Sequence, residues 1–497
     1  MNNRSAGILC PLFSLPGLYG IGQMGQSALD FIDYLSDSGF AYWQILPLHP
    51  IDTENSPYSS SSAFAGYPFY IDLAELVNDG LLKSEELPLT VKMNRVNYSI
   101  IEKIITPVFS ILFNEFSHRA SYDLKQDFEK FKLENEFWLN DYSVFTSLKK
   151  HFGGLAWNDW PSPYKYHHKI EQKHLQEFTE TIQNEKLIQF LFFKQWGQLK
   201  EHANKKGISI IGDMPIYVSY DSADVWSHPK LFKLDSKLRA KEVAGVPPDF
   251  FSMDGQLWGF PIYNWKNHKK TGFKWWKERT GHLLKINDHV RFDHFRAIES
   301  YWSVPGEEDT ARNGKWLPAP GKDLLEKLTE IKKNGLIAEN LGNITDEVES
   351  LRKNFSIPGM KIFQFAFGGH IHSEHLPHNC DQNDIYYSGT HDNEVLDNWL
   401  KITSSEAIDH LVAYYGTKSE NLSTRWLIDR ILASSPNLVI LPIQDFLELG
   451  ENTRINTPGT VSEQNWTWRM SLDELNITKA SDNLYRLDFF GRKRRNE

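Results

Sequence analysis

Three acidic residues, Asp293, Glu339 and Asp392, follow short apolar runs. The runs are Asp288-His289-Val290-Arg291-Phe292-Asp293, Gly335-Leu336-Ile337-Ala338-Glu339 and Asp384-Ile385-Tyr386-Tyr387, the last leading through Ser388-Gly389-Thr390-His391 to Asp392. Two carboxyl groups are the minimum equipment for breaking a glycosidic bond: one stays ionised and attacks, the other holds a proton for the leaving oxygen. Opposite demands require different surroundings. Arg291 precedes Asp293 by two positions, so on a strand both point the same way, and a guanidinium would keep Asp293 charged. Glu339 ends a run of Leu, Ile and Ala, and such surroundings would raise its pKa toward that of an acid. His391 and Asp392 follow a Gly-Thr turn that can present both to one ligand. One Asp after an apolar run is more often part of a structural ion pair, by about four to one, but three on successive candidate strands reverse those odds.

Such chemistry needs a frame that brings the three acids together. Short apolar runs bounded by turn residues read as buried parallel strands. Trp43–Leu48, the first strand candidate, Ile208–Asp213 and Leu438–Pro442 read the same way. Ala28, Phe31, Ile32 and Leu35 share one helical face, with Gly39 as the stop. A further helix is expected over about Lys322–Asn334. Alternating strand and helix argues for a (β/α)8 TIM-type barrel, whose active site gathers where the strands end. The expected organisation is one catalytic barrel over 1–497, with a mainly helical insertion at about 74–205. A second, site-covering insertion at about 220–285 is rich in Trp, Pro, Gly and Phe and too long for an idle loop. The Arg492–Glu497 run reads as frayed and solvated.

Composition narrows the partners. A net charge of −10 argues against nucleic acid and acidic membrane surfaces. No run approaches the ~18 apolar residues of a membrane span. The beginning of the chain lacks the apolar core of a secretory signal. Two distant cysteines, Cys10 and Cys380, exclude a disulfide framework and suit a cytoplasmic setting. His289 and His294 flank Asp293 without metal-ligand spacing, so neither metal nor cofactor is expected. Aromatics make up 13% of the residues. About two thirds of them should be core; the rest suit pyranose rings, whose apolar face stacks on a flat side chain.

Longer motifs sharpen the reading. They include Ser14-Leu15-Pro16-Gly17-Leu18-Tyr19-Gly20-Ile21-Gly22, Ser56-Pro57-Tyr58, Gly212-Asp213-Met214-Pro215-Ile216-Tyr217-Val218 and Asp221-Ser222-Ala223-Asp224-Val225-Trp226. Further on stand Ala244-Gly245-Val246-Pro247-Pro248-Asp249-Phe250-Phe251, Gly255-Gln256-Leu257-Trp258-Gly259, Pro358-Gly359-Met360-Lys361, Gly389-Thr390-His391-Asp392-Asn393 and Asn465-Trp466-Thr467-Trp468-Arg469. In this order they closely resemble the amylomaltase family, the 4-alpha-glucanotransferases or disproportionating enzymes, across essentially the whole barrel. The resemblance implies retaining transfer of α-1,4-glucan segments between maltooligosaccharides. It implies Asp293 as nucleophile, Glu339 as general acid/base and Asp392 as transition-state stabiliser. Arg291 and His391 match groups around the sugar in the cleavage subsite, and Asp213 and His294 match residues lining the same pocket. Tyr58, Asp249 and Trp258 match glucan-binding positions, and Val246–Gly255 matches the loop that covers the site. Asn340, Glu394, Phe260 and Ala297 depart from the commonest pattern, where Asp, Asp, Asn and Gly are usual. Asn340 would lower the pKa of Glu339 by removing a neighbouring charge. An α-1,4-glucan hydrolase of the amylase type would share the three acids, and a non-catalytic glucan-binding protein would not need them. Retention would place the carboxyls of Asp293 and Glu339 about 5–5.5 Å apart.

Overall fold

The computed structural model describes residues 3–494 apart from 53, 249–251, 369–371, 472 and 475–479. Its strands are β1 (Ser5–Leu9), β2 (Tyr42–Gln44), β3 (Ser209–Met214), β4 (Glu242–Val246), β5 (Gln256–Pro261), β6 (His289–Phe292), β7 (Ser300–Pro305), β8 (Lys315–Pro318), β9 (Leu336–Ala338), β10 (Met360–Ile362), β11 (Ile385–Tyr387) and β12 (Leu438–Pro442). Eight of them form one parallel sheet in the order β10-β11-β12-β1-β2-β3-β6-β9. A parallel bridge from Ala338 to Gly359 joins the two ends, and the Ala338 amide donates to the Pro358 carbonyl at 2.8 Å. The ring therefore closes as a (β/α)8 barrel.

Side-chain parity follows from the two-residue period of a strand. Leu9, Ile211, Ile337, Met360, Ile362, Ile385, Tyr387, Leu438 and Ile440 form one buried cluster filling the barrel. Their strand neighbours Ile8, Ile210, Tyr386, Val439 and Leu441 point outward and pack in the core that includes the helices. Gly7 pairs with Tyr42 of β2, and a Cβ there would lie 2.7 Å from the Cβ of Tyr42.

β1 escaped the reading of local pattern, which began the barrel at Trp43. Ser-Ala-Gly at its start carries none of the β-branched or aromatic signals of a strand. The helix Gln26–Asp37 buries Ala28, Phe31, Ile32 and Leu35, and Gly39 leaves it at φ +85°. Gly321–Thr329 is helical, shorter than expected, and Asn334 stands beyond it at φ +58°.

Between β2 and β3 lie the helices Leu73–Asn78, Tyr98–Arg119, Tyr122–Glu134, Glu136–His151 and Thr179–Lys205. The last buries Leu187, Phe190, Leu191 and Trp196 and delivers the chain to β3. The aromatic-rich stretch after β3 contains the antiparallel pair β4–β5, which joins β7 and β8 in a separate sheet of order β5-β4-β7-β8. Among the described residues, no helix is long and apolar enough to cross a membrane.

The expected fraying near residue 492 is corrected. Arg492 is fully buried and donates to the carbonyls of Leu432, Ser5, Asn437, Ser434 and Pro436. Arg4 reaches the carbonyls of Ser434 and Leu432 from the other side. A guanidinium has five donors in a planar fork, enough to serve carbonyls converging on one point.

Candidate active site

Parity and register assemble the site. Ile211 and Ile337 face the barrel interior, so Asp213 and Glu339, two positions on, face the same way. Asp213 pairs with Arg291 across β3 and β6, and Arg291 pairs with Ile337 across β6 and β9. The Glu339 amide donates to the Phe292 carbonyl at 3.0 Å, extending that register to Asp293 beside Glu339.

Arg291 is the hub. Its Nη1 donates to Asp213 Oδ1 at 2.9 Å, Asp213 Oδ2 at 2.8 Å and Asp293 Oδ1 at 2.8 Å. Tyr58 donates its hydroxyl to Asp213 Oδ2 at 2.7 Å. Burial pushes Asp213 up, against the pull of Arg291. Burial would lower the pKa of Arg291, but the carboxylates of Asp213 and Asp293 outweigh it and raise it well above its ordinary value. The guanidinium is therefore permanently charged. It holds one oxygen of Asp293 and leaves the other open in a side chain that is 25% exposed.

Glu339 is in a different environment. The residue is 9% exposed. Burial, reinforced by the negative charge of Asp293, pushes its carboxyl up to about 8, against the opposing pull of Arg291 and two backbone amides. Those amides are His294 N on Oε2 at 2.6 Å and Leu341 N on Oε1 at 3.0 Å. His294 turns its amide toward Glu339 from a left-handed conformation, φ 47° and ψ 51°, a region His visits more readily than most residues. Burial lowers the imidazole of His294 to about 4, leaving it neutral at ordinary pH. Trp258 on β5 meets that ring edge-on, with centroids 4.8 Å apart, which brings the β4–β5 hairpin to the site.

Asp392 comes from the loop after β11. Its side chain is 43% exposed, and Asn456 Nδ2 donates to its Oδ1 at 2.6 Å. Arg454 Nη2 donates to the Asp392 carbonyl at 2.6 Å, and the Asn456 amide to the His391 carbonyl at 3.1 Å. The His391 ring stacks on Tyr58 at 5.2 Å and 19°, so the Asp392 loop reaches the Arg291 network through one phenol. Asp213, Arg291, Asp293, His294, Glu339, Tyr58, Trp258, His391 and Asp392 thus belong to one contiguous network. Asp249 lies outside the described residues. Asn456 and Arg454 had no local signal, since they lie in an irregular segment after β12.

Asn340 follows Glu339 and makes its own contacts. Parity turns its side chain outward, where Nδ2 donates to Glu349 Oε1 at 2.5 Å and Oδ1 accepts from Met360 N at 2.7 Å. Arg352 grips the same Glu349, Nη2 to Oε2 at 2.7 Å. Asn340 thus ties β9 to β10 and to the helix Asp346–Asn354. Glu394, another departure, accepts a Gln364 side-chain bond on its carbonyl at 2.6 Å, and its carboxylate lies 3.5 Å from Arg454.

A barrel whose strand-end acids include one hydrogen-bonded to the Arg291 guanidinium and one pushed up to about 8 by burial is suited to glycoside chemistry. A model of the 4-alpha-glucanotransferase family matches residues 10–474. The chain belongs to that family. A 4-alpha-glucanotransferase of Aquifex aeolicus is 44% identical over 475 residues, covering 95% of this chain and 96% of its own. One from Clostridium butyricum is 42% identical, covering 95% and 98%. Among solved structures, an amylomaltase from Streptococcus agalactiae in complex with acarbose superposes with a TM-score of 0.93 at 36% identity, over 99% of this chain and all of that one. Such coverage extends the family likeness to the insertions as well as the barrel.

Proposed function

We propose that this member of the family moves α-1,4-glucan segments from a donor to an acceptor maltooligosaccharide by retaining double displacement. The observation that carries the reading is the contrast between Asp293, hydrogen-bonded to a permanent cation, and Glu339, buried and pushed up to about 8. Asp293 attacks the anomeric carbon through the oxygen that Arg291 does not hold. The C–O bond to the leaving glucan breaks as Glu339 gives that oxygen its proton. A glycosyl ester on Asp293 results, and the leaving chain departs with a free 4-hydroxyl. Asp392, anchored by Asn456, stabilises the positive charge that develops on the sugar ring.

The site's electrostatics support Glu339 in both halves of the cycle. Esterification removes the charge on Asp293, one of the two causes raising Glu339. At the separation of about 5.5 Å that a retaining mechanism requires and an effective dielectric of about 20, that charge is worth roughly 3 kcal/mol, or ~2 pKa units. The pKa of Glu339 therefore falls when the ester forms, and the carboxylate, held by the amides of His294 and Leu341, takes the proton of an acceptor 4-hydroxyl. The acceptor oxygen bonds to the anomeric carbon, the ester bond breaks, and the α linkage is restored.

Cys10 and Cys380 are buried free thiols, which supports a reducing, cytoplasmic setting. Incubation with maltotriose tests the reaction. Transfer yields glucose together with a ladder of longer maltodextrins and no net gain of reducing ends. Shorter sugars alone, with a rise in reducing ends, would make the chain a hydrolase. Unchanged maltotriose would leave a glucan-binding protein.

A further inference from the structure

Asp445 lies at the start of the segment after β12, in the short helix Ile443–Phe446, and is 1% exposed. Its two carboxyl oxygens are committed to the two ends of one loop. Ser388 donates Oγ–H to Asp445 Oδ2 at 2.5 Å, and the Leu396 amide donates to Oδ1 at 2.7 Å. Ser388 directly follows β11, and Leu396 opens the helix Leu396–Ile402, whose own N-cap, Val395, supplies no side-chain bond. Residues 389–395 between those points carry His391 and Asp392. One carboxylate thus pins both ends of the loop that bears the third acid of the site.

We propose that Asp445 is a positioning residue for Asp392, setting where that carboxylate stands relative to the sugar. The inference rests on the reading of Asp392 given above. The loop has internal ties: Thr390 donates its amide and its hydroxyl to Asn393 Oδ1 at 2.8 and 3.0 Å. Such ties make 389–395 a semi-rigid piece, whose placement depends on how its ends are held. Gln364 and Arg454 hold its middle through the carbonyls of Glu394 and Asp392. Asp445 is the one side chain among these that grips both ends. It also couples two parts of the site, because the segment it begins continues to Arg454 and Asn456, which contact Asp392 directly. Burial, with a smaller contribution from Glu394, pushes Asp445 up to about 7, so a neutral group can serve the same geometry. An asparagine could accept from Leu396 N with its oxygen and donate to Ser388 Oγ with its nitrogen.

The test is a mutant cycle read on α-maltosyl fluoride as donor and maltose as acceptor. D445A should lower kcat about 10–100-fold, the scale expected when a catalytic group is misplaced by ~1 Å, with KM changed less than ~3-fold. D445N should recover kcat to within about 3-fold of the unmodified protein. In a D392N background, D445A should add less than about 3-fold, because the group it positions is already disabled. Full kcat in D445A overturns the proposal, and so does an equal loss in the presence and absence of Asp392, which marks a general structural effect. Full activity in D392N alone overturns the role of Asp392 and the inference with it, a result distinct from an inactive D392N beside an active D445A. Should D445A fail to fold, S388A, which removes one of the two grips, is read in the same cycle and against the same criteria.

Discussion

Replacing Arg291 by Met would remove the one cation that Asp213 and Asp293 share, while keeping an unbranched side chain of similar length. Arg291 is 5% exposed, Asp213 0% and Asp293 25% at the side chain. At charge separations of about 4 Å and an effective dielectric of about 20, each pair is worth roughly 4 kcal/mol before desolvation. Exposure of Asp293 discounts its share, and desolvating the ions offsets much of the remainder. The net cost of breaking the network from one side is about 3–5 kcal/mol, set mainly by Asp213 left buried beside Asp293. Asp213 can escape that cost by taking up a proton. Burial already holds its pKa above the ordinary 3.8, against Arg291, and loss of the guanidinium raises it further. A carboxyl with a raised folded-state pKa destabilises the fold increasingly as pH rises from 3.8 through the folded value. The deficit of R291M is therefore small near pH 4 and largest above neutrality. Urea unfolding at pH 4.5 and pH 8 measures it: about 3–5 kcal/mol is expected at pH 8 and under half of that at pH 4.5. The double variant R291M/D213N should recover at least half of the loss at pH 8. A deficit below about 1 kcal/mol at pH 8, or one equal at both pH values, refutes the hub role of Arg291.

Because Glu339 must carry a proton to act as acid and is pushed up to about 8, kcat/KM for glycosylation should be flat near neutrality and fall about tenfold per unit well above pH 8; a fall beginning near pH 5 would assign the acid role elsewhere. E339Q should lose at least ~100-fold in turnover on maltotriose. It should also melt higher than the unmodified protein by a margin that grows between pH 4.5 and 8, where a buried carboxyl with a raised pKa costs the folded state most; a margin that shrinks over this range contradicts burial as the main cause. D293N should bring Glu339 down by ~2 units yet leave it above 4.5, because burial outweighs the neighbouring charge; difference infrared titration of the carboxyl C=O stretch reads this directly. W258A, which removes the ring against His294, should raise KM for maltotriose about 3–10-fold with little change in kcat, as initial rates would show.

Asp293 and Glu339 were legible because each terminates an apolar run, and barrel strands stop where their side chains become useful. Parity also placed Arg291 with Asp293. With Ile337 inward, the same parity puts Glu339 inward and Asn340 outward, where Asn340 meets the Arg352–Glu349 pair. The bond from Arg291 to Asp213 spans 78 positions and depends on how β3 registers against β6. No local pattern encodes that register. β1 was hidden by small residues, one of which, Gly7, is required by the approach of Tyr42. The sheet β5-β4-β7-β8 was hidden because Trp302, Trp316 and Leu317 are only partly buried, so no clean alternation marks its strands. Asn456, Arg454 and Asp445 act through contacts across the gap between β11 and β12 loops, which sequence distance conceals.

Closure of the ring through β1 and β12 also fixes an order in time. Each residue of β1 pairs with β12 more than 430 positions later, from Ser5 with Leu438 to Leu9 with Pro442. At ~5–20 residues per second, a ribosome reaches Leu438 about 20–90 s after Ser5. Throughout that interval one hydrogen-bonding edge of β1 has no partner, and neither does the outer edge of whichever barrel strand was made last. Such edges invite pairing with other chains. The nascent chain is therefore most exposed to misassociation just before β12 emerges, and help from a chaperone that shields strand edges would matter most in that window.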